Sequence, residues 1–190
     1  MVGITALWLP ILLAAVFVFV ASSIIHMFLP IHKNDFKGLP DEDGVRDALR
    51  PFDLAPGDYF LPHHHGDMAV MKSEAYQAKA AEGPTAFMTV MPKGQPFNMA
   101  SQMTYWFIYC VIVSIFAAYI SSRAVGMGGE HSYLQVFRFA GCTAFVAYSL
   151  GGWQRSIWFR QPWSTSLKNT FDGLVYALLT AGTFGWLWPS

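Results

Sequence analysis

The chain has 190 residues, 54% of them hydrophobic and 13% charged, with 12 Lys and Arg balancing 12 Asp and Glu. That composition is more apolar than an ordinary soluble domain, and a formal charge of zero offers no basic surface for nucleic acid. Seven of the 12 cations and ten of the 12 acids fall in residues 30–102, so the rest of the chain is almost uncharged.

The first apolar span, Gly3–Leu29, exceeds the ~20 residues that an α-helix needs to cross a bilayer. No Lys or Arg precedes it and no small-residue cleavage site leads into a polar start, so it is expected to be a retained anchor. Pro10 either kinks this span or lies in its first turn.

Residues 30–102 form a polar insert with its own structural signals. Pro40-Asp41-Glu42-Asp43 opens a helix with acids in its first turn, Val45, Ala48 and Leu49 give it an apolar face, and Arg46 and Arg50 close it before Pro51. Ser73 caps a second helix, Ser73–Glu82, which Gly83-Pro84 stops. Asp58–Leu61 and Ala86–Met91 read as two strands that can pair. The insert is expected to be a small α+β cap, too small to bury much core alone, that docks on the membrane spans.

Three further spans, 103–122, 133–152 and 169–188, complete the expected class: an all-α membrane protein of four transmembrane helices forming one bundle, with the α+β insert between the first and second. The expected divisions are 1–29, 30–102 and 103–190. In lipid, helices associate through small residues and interhelical hydrogen bonds. Gly173, Ala177, Ala181 and Gly185 recur every four residues on the fourth span and are expected to pack inside the bundle, with oligomer contact as the alternative. Cys110 and Cys142 both fall within spans, which excludes a disulfide framework.

Basic residues set the expected orientation. The 154–168 connection carries Arg155, Arg160 and Lys168 with no acid, whereas the Arg123–Ser132 loop sets Arg123 against Glu130. The positive-inside rule then makes the connection and the insert cytoplasmic and both termini periplasmic or external. Trp8, Trp186 and Trp188 fall at the outer interface, and Trp106, Trp153, Trp158 and Trp163 at the inner one.

Few residues carry chemistry. His26 and Asp172 lie at similar depth on the cytoplasmic side, and an ionisable group in a span is a candidate functional site by default. The competing reading pairs Asp172 with Lys168 or Arg155 in an interfacial ion pair. Arg138 either snorkels outward, pairs with Glu130 or contacts an anion. His63, His65 and Asp67 are the metal candidates, against a solvated turn after Pro62. One histidine in the spans argues against bis-His haem, and there is no P-loop, GxGxxG, HExxH, GxSxG or CxxC, so no cofactor is expected beyond a metal at His63 and His65.

The runs Phe137–Gly141, Ser156–Trp158 and Trp163–Pro189, with Ala6–Pro10, His26-Met27 and His32-Lys33, resemble a family of small four-span bacterial inner-membrane proteins with no assigned function. The resemblance implies that architecture and singles out Trp163, Lys168 and Asp172 for testing, but brings no activity.

The leading expectation is a non-enzymatic structural or accessory protein that packs with other membrane subunits, or with itself, in a larger assembly. The alternatives are a small transporter or lipid- or ion-handling protein with a cavity around His26, Arg155 and Asp172, and a metal-binding membrane enzyme using His63, His65 and Asp67.

Overall fold

The computed structural model describes residues 3–94, 98–125 and 132–189, and it is mostly helical with one small sheet. In chain order the elements are α1 (Trp8–Met27), α2 (Glu42–Leu49), β1 (Gly57–Leu61), α3 (Met68–Lys72), α4 (Glu74–Glu82), β2 (Ala86–Val90), α5 (Met99–Ala124), α6 (Tyr133–Tyr148), α7 (Trp153–Phe159) and α8 (Trp163–Trp186). Residues 38–97 form one compact unit, and the flanking 1–37 and 98–190 form the other. The polar segment after α1 therefore divides: residues 30–37 belong with the long helices.

In the helical unit, α1 packs against α5 and α8, and α6 packs against the same two. Two stretches, Ile4–Met27 and Met99–Ala124, are long and apolar enough to cross a membrane. Pro10 falls in the first turn of α1, where its missing N–H removes no bond within α1. Asn98 opens α5 by accepting from the amides of Ala100 and Ser101. Ser132 and Gln135 close a reciprocal capping box on α6.

Two expected spans have different limits. The helix expected over 133–152 runs only to Tyr148, and Leu150–Gly152 is a 3-10 turn leading into α7, because two consecutive glycines favour leaving the α-helix. Pro162 starts α8 at Trp163, six residues before the expected 169. The remainder of the Arg123–Ser132 loop, residues 126–131, lies outside the described residues, as does the expected pairing of Arg138 with Glu130.

Many large apolar side chains face outward in this unit, and alanines and hydroxylated residues share its interior with Leu7, Val18, Val136 and Phe184. Phe17, Val20, Ile24, Ile112, Phe116 and Leu178 are exposed, while Ala14, Ala15, Ala117, Ala140, Ala144, Ala181, Ser114, Ser121 and Thr180 are buried. The tightest seam joins α6 and α8. A Cβ on Gly141 would lie 2.9 Å from that of Ala181, Gly185 abuts the Tyr133 ring, and Gly173 abuts Ser149, so the two helices run antiparallel. The Gly173, Ala177, Ala181 and Gly185 stripe is thus taken up inside the unit, against α6.

The second unit pairs β1 and β2 antiparallel, Gly57 opposite Val90 and Leu61 opposite Ala86. Phe60 and Phe87 stack across the strands with centroids 4.4 Å apart, and Thr89 donates to Asp58 at 2.6 Å. Asp41 caps α2, Asp67 caps α3 and Ser73 caps α4. The five-residue α3 has no counterpart in the sequence reading. None of the described residues of this unit is fully buried, as a chain this short cannot enclose a core.

Candidate functional site

Pro30 cannot continue a helix, so α1 ends at Met27, with the amides of Phe28 and Leu29 donating back to the Ile24 carbonyl. The chain then turns over His32–Asp35, closed by the Asp35 amide on the His32 carbonyl at 3.0 Å. The same turn brings the Asp35 carboxylate onto the His32 ring: Nδ1 of His32 donates to Asp35 Oδ2 at 2.7 Å. From α8, Lys168 donates to Asp35 Oδ1 at 2.6 Å and to the Ile31 carbonyl at 2.8 Å. One helical turn further along α8 stands Asp172, its side chain 3% exposed.

His32 is therefore held between two carboxylates. Its Nε2 lies 2.8 Å from Asp172 Oδ2, and His26 Nε2, at the end of α1, lies 3.8 Å from the same oxygen. The two imidazole rings overlap with centroids 4.4 Å apart. Yet Nε2 of His32 and both Asp172 oxygens are buried without a hydrogen bond to any described residue, the 2.8 Å approach being that of an ion pair when His32 is protonated. His26, His32 and Asp172 are the one group of three or more metal-competent side chains among the described residues, all donor atoms lying within 4.8 Å of one another.

Electrostatics sharpen the picture. Two carboxylates face one ammonium, so the site carries an excess negative charge unless a proton or cation joins it. Burial pushes the Asp35 carboxyl up, but the hydrogen bonds and charges of Lys168 and His32 outweigh it and hold Asp35 below the usual carboxylate range. An ionised Asp35 can only accept, which assigns the proton on His32 to Nδ1 and turns Nε2 toward Asp172.

The sequence candidates fare differently. His26, Lys168 and Asp172 converge, but Lys168 meets Asp35 rather than Asp172. Arg155 is exposed on α7 and makes no hydrogen bond or ion pair with Asp172 among the described residues, so the cavity expected around His26, Arg155 and Asp172 lacks its arginine. Trp163 stacks edge-on against Trp153, whose indole N–H donates to Thr170 at 2.8 Å, which fixes the entry to α8 rather than the site. Arg138 is exposed on α6.

The His63, His65 and Asp67 constellation does not close. The two imidazoles meet with Nδ1 atoms 3.3 Å apart, but the Asp67 carboxylate accepts from the Ala69 amide as the cap of α3. A cleft of about 450 Å³ in the same unit is lined by Arg46, Arg50 and Lys93, each already paired with an exposed carboxylate. His32 and Asp35 are the residues that sequence reasoning missed. The available signal was their spacing of three just after a helix-ending Pro30, which suits a turn in which a histidine meets a carboxylate.

Comparison of the chain with protein-family models, curated proteins and solved structures finds no match.

Proposed function

We propose that this chain is a four-span membrane transporter that takes up a cation at the cytoplasmic end of its helices, through His26, His32 and Asp172. The observation that carries the reading is the Asp172 carboxylate, 3% exposed, both oxygens lacking a hydrogen bond within the described structure. Leaving a buried carboxylate so poorly matched costs several kcal/mol, which favours a bound cation over a purely structural role.

Two further features support it. The many exposed large apolar side chains, with alanines and hydroxyls among the buried ones, suit helices whose surroundings are lipid. Beyond Asp172, buried hydroxyls without a hydrogen bond to described residues continue inward: Tyr176 one turn along α8, and Ser114 and Ser121 two turns apart on α5. Such groups in an apolar interior suit passing ions or water. With α6 and α8 as spans, the site lies on the side of Arg155, Arg160 and Lys168, the cytoplasmic side by the positive-inside rule. An accessory role gains no support from the small-residue stripe, which is spent on α6.

Reconstitution tests this. Vesicles containing the protein and loaded with proton-, potassium- or zinc-sensitive dye should report flux of at least one cation above empty vesicles, and Asp172→Asn should cut it tenfold or more. Flux absent for every dye, or unchanged in the variant, refutes the reading.

A further inference from the structure

Resting on that reading, we propose that the cation is a divalent first-row transition metal ion, ligated by Nε2 of His26, Nε2 of His32 and a carboxylate oxygen of Asp172. With Nδ1 of His32 donating to Asp35, the lone pair of a neutral ring is on Nε2, which faces a carboxylate oxygen 2.8 Å away. Two lone pairs that close repel unless a positive charge sits between them. A proton answers for one pair of atoms and calls for an in-line hydrogen bond, which is not made. It also leaves His26 without a role, although Nε2 of His26 points into the same locus, 3.8 Å from that oxygen.

A metal ion satisfies all three donors at once. Ligands at about 2.0–2.2 Å from a tetrahedral ion stand about 3.4 Å apart. The observed 2.8 and 3.8 Å bracket that separation, and His26, with its side chain 46% exposed, has room to turn the remaining distance. Two imidazoles and one carboxylate are the donor set of open-sided zinc and iron(II) sites and are poorly suited to Mg²⁺ or Ca²⁺, which take oxygen. The exposure of His26 leaves the fourth position open toward solvent, as entry and exit of an ion require.

Asp35 completes the assignment as a positioning residue. A metal-bound histidine ordinarily donates its other ring N–H to a carboxylate, and losing that partner weakens metal binding 10- to 100-fold. Asp35 occupies that place on His32 and is itself held by Lys168. The four groups come from the end of α1, the turn after it and α8, and all belong to one compact unit.

The test uses the full-length, untagged protein in detergent micelles, stripped with chelator and titrated with Zn²⁺ by calorimetry and with Co²⁺ by visible absorption. One ion per chain should bind with micromolar or tighter affinity, and Co²⁺ should give the intense bands of a four- or five-coordinate site. His26→Gln, which alters a half-exposed side chain and leaves the fold undisturbed, should weaken binding at least tenfold. His32→Gln and Asp172→Asn should abolish it, and Asp35→Asn should weaken it 10- to 100-fold while leaving the Co²⁺ bands in place. His63→Ala and His65→Ala should change nothing. No ion bound by the wild-type protein, or binding lost with His63 and His65 but kept in His26→Gln, overturns the proposal. Metal bound without flux in vesicles refutes transport and leaves this site standing; flux undiminished in protein that binds no metal refutes the site and leaves transport standing.

Discussion

The seam between α6 and α8 gives the most quantitative prediction. A methyl group on Gly141 would lie 2.9 Å from the Ala181 Cβ, with the Ala177 carbonyl oxygen 3.8 Å away. Two carbons attract best at about 3.5–4.0 Å, so Gly141→Ala creates an overlap of roughly 0.6–1.1 Å. Neither partner is the mobile tip of a long side chain, so the helices themselves must separate. Overpacking of that kind costs about 1–3 kcal/mol, and each 1.4 kcal/mol is tenfold in the folding equilibrium. Ala181→Gly removes the obstructing methyl, at about 1 kcal/mol for a glycine inside a helix. The double variant should therefore lose far less than the two single losses added, with a coupling of about 1–2 kcal/mol. Denaturant titration in detergent micelles, followed by tryptophan fluorescence, measures all four corners of the cycle. A Gly141→Ala protein as stable as wild type, or additive losses in the double variant, would refute the packing argument.

Other expectations follow from caps and charges. Lys168→Met leaves Asp35, with its side chain 9% exposed, facing no ammonium; since Lys168 is itself a third exposed, the loss should be about 1–2 kcal/mol in the same titration. Asp35 is held below its ordinary value of 3.8, so its ion pair stabilises fully above that pH and fades as pH falls through the lower folded value. The gap in stability between wild type and Lys168→Met should accordingly narrow below pH 3.8, and a gap that stays constant to about pH 3 counts against the pairing. Ser132→Ala removes one half of the α6 capping box and should cost about 1 kcal/mol, with no effect on metal affinity.

Elements whose signal is local could be read from the sequence. Ser73 as a cap and Gly83 as a stop mark α4 to the residue, and the acids at 42 and 43 mark the start of α2. The short apolar runs at 58–61 and 86–91 do pair, and Pro56, Pro62, Pro84 and Pro92 bound them in the sequence. Long apolar helices were legible in existence but not in extent, since the Gly151-Gly152 break and the polar first turns of α8 have no signature in hydropathy. Within the site, depth alone placed His26 beside Asp172. His32 and Asp35 were hidden because their importance arises from a turn that folds back onto a helix more than 130 residues away. Arg155 misled for the converse reason: it is near Lys168 along the chain, but α7 leaves it exposed.

The bond from Lys168 to Asp35 joins residues 133 positions apart, so it closes a loop containing the whole second unit, α5, α6 and α7. Closing a loop of that size carries an entropic cost that is recovered only when the contact forms. During synthesis the end of α1 and the His32–Asp35 turn emerge early, yet they lack Asp172 and Lys168 until the final helix is made. The site is in this sense a record that the end of α1 and α8 have met. A chain truncated before α8 keeps His26, His32 and Asp35 but lacks both α8 residues that pair with them, Lys168 and Asp172.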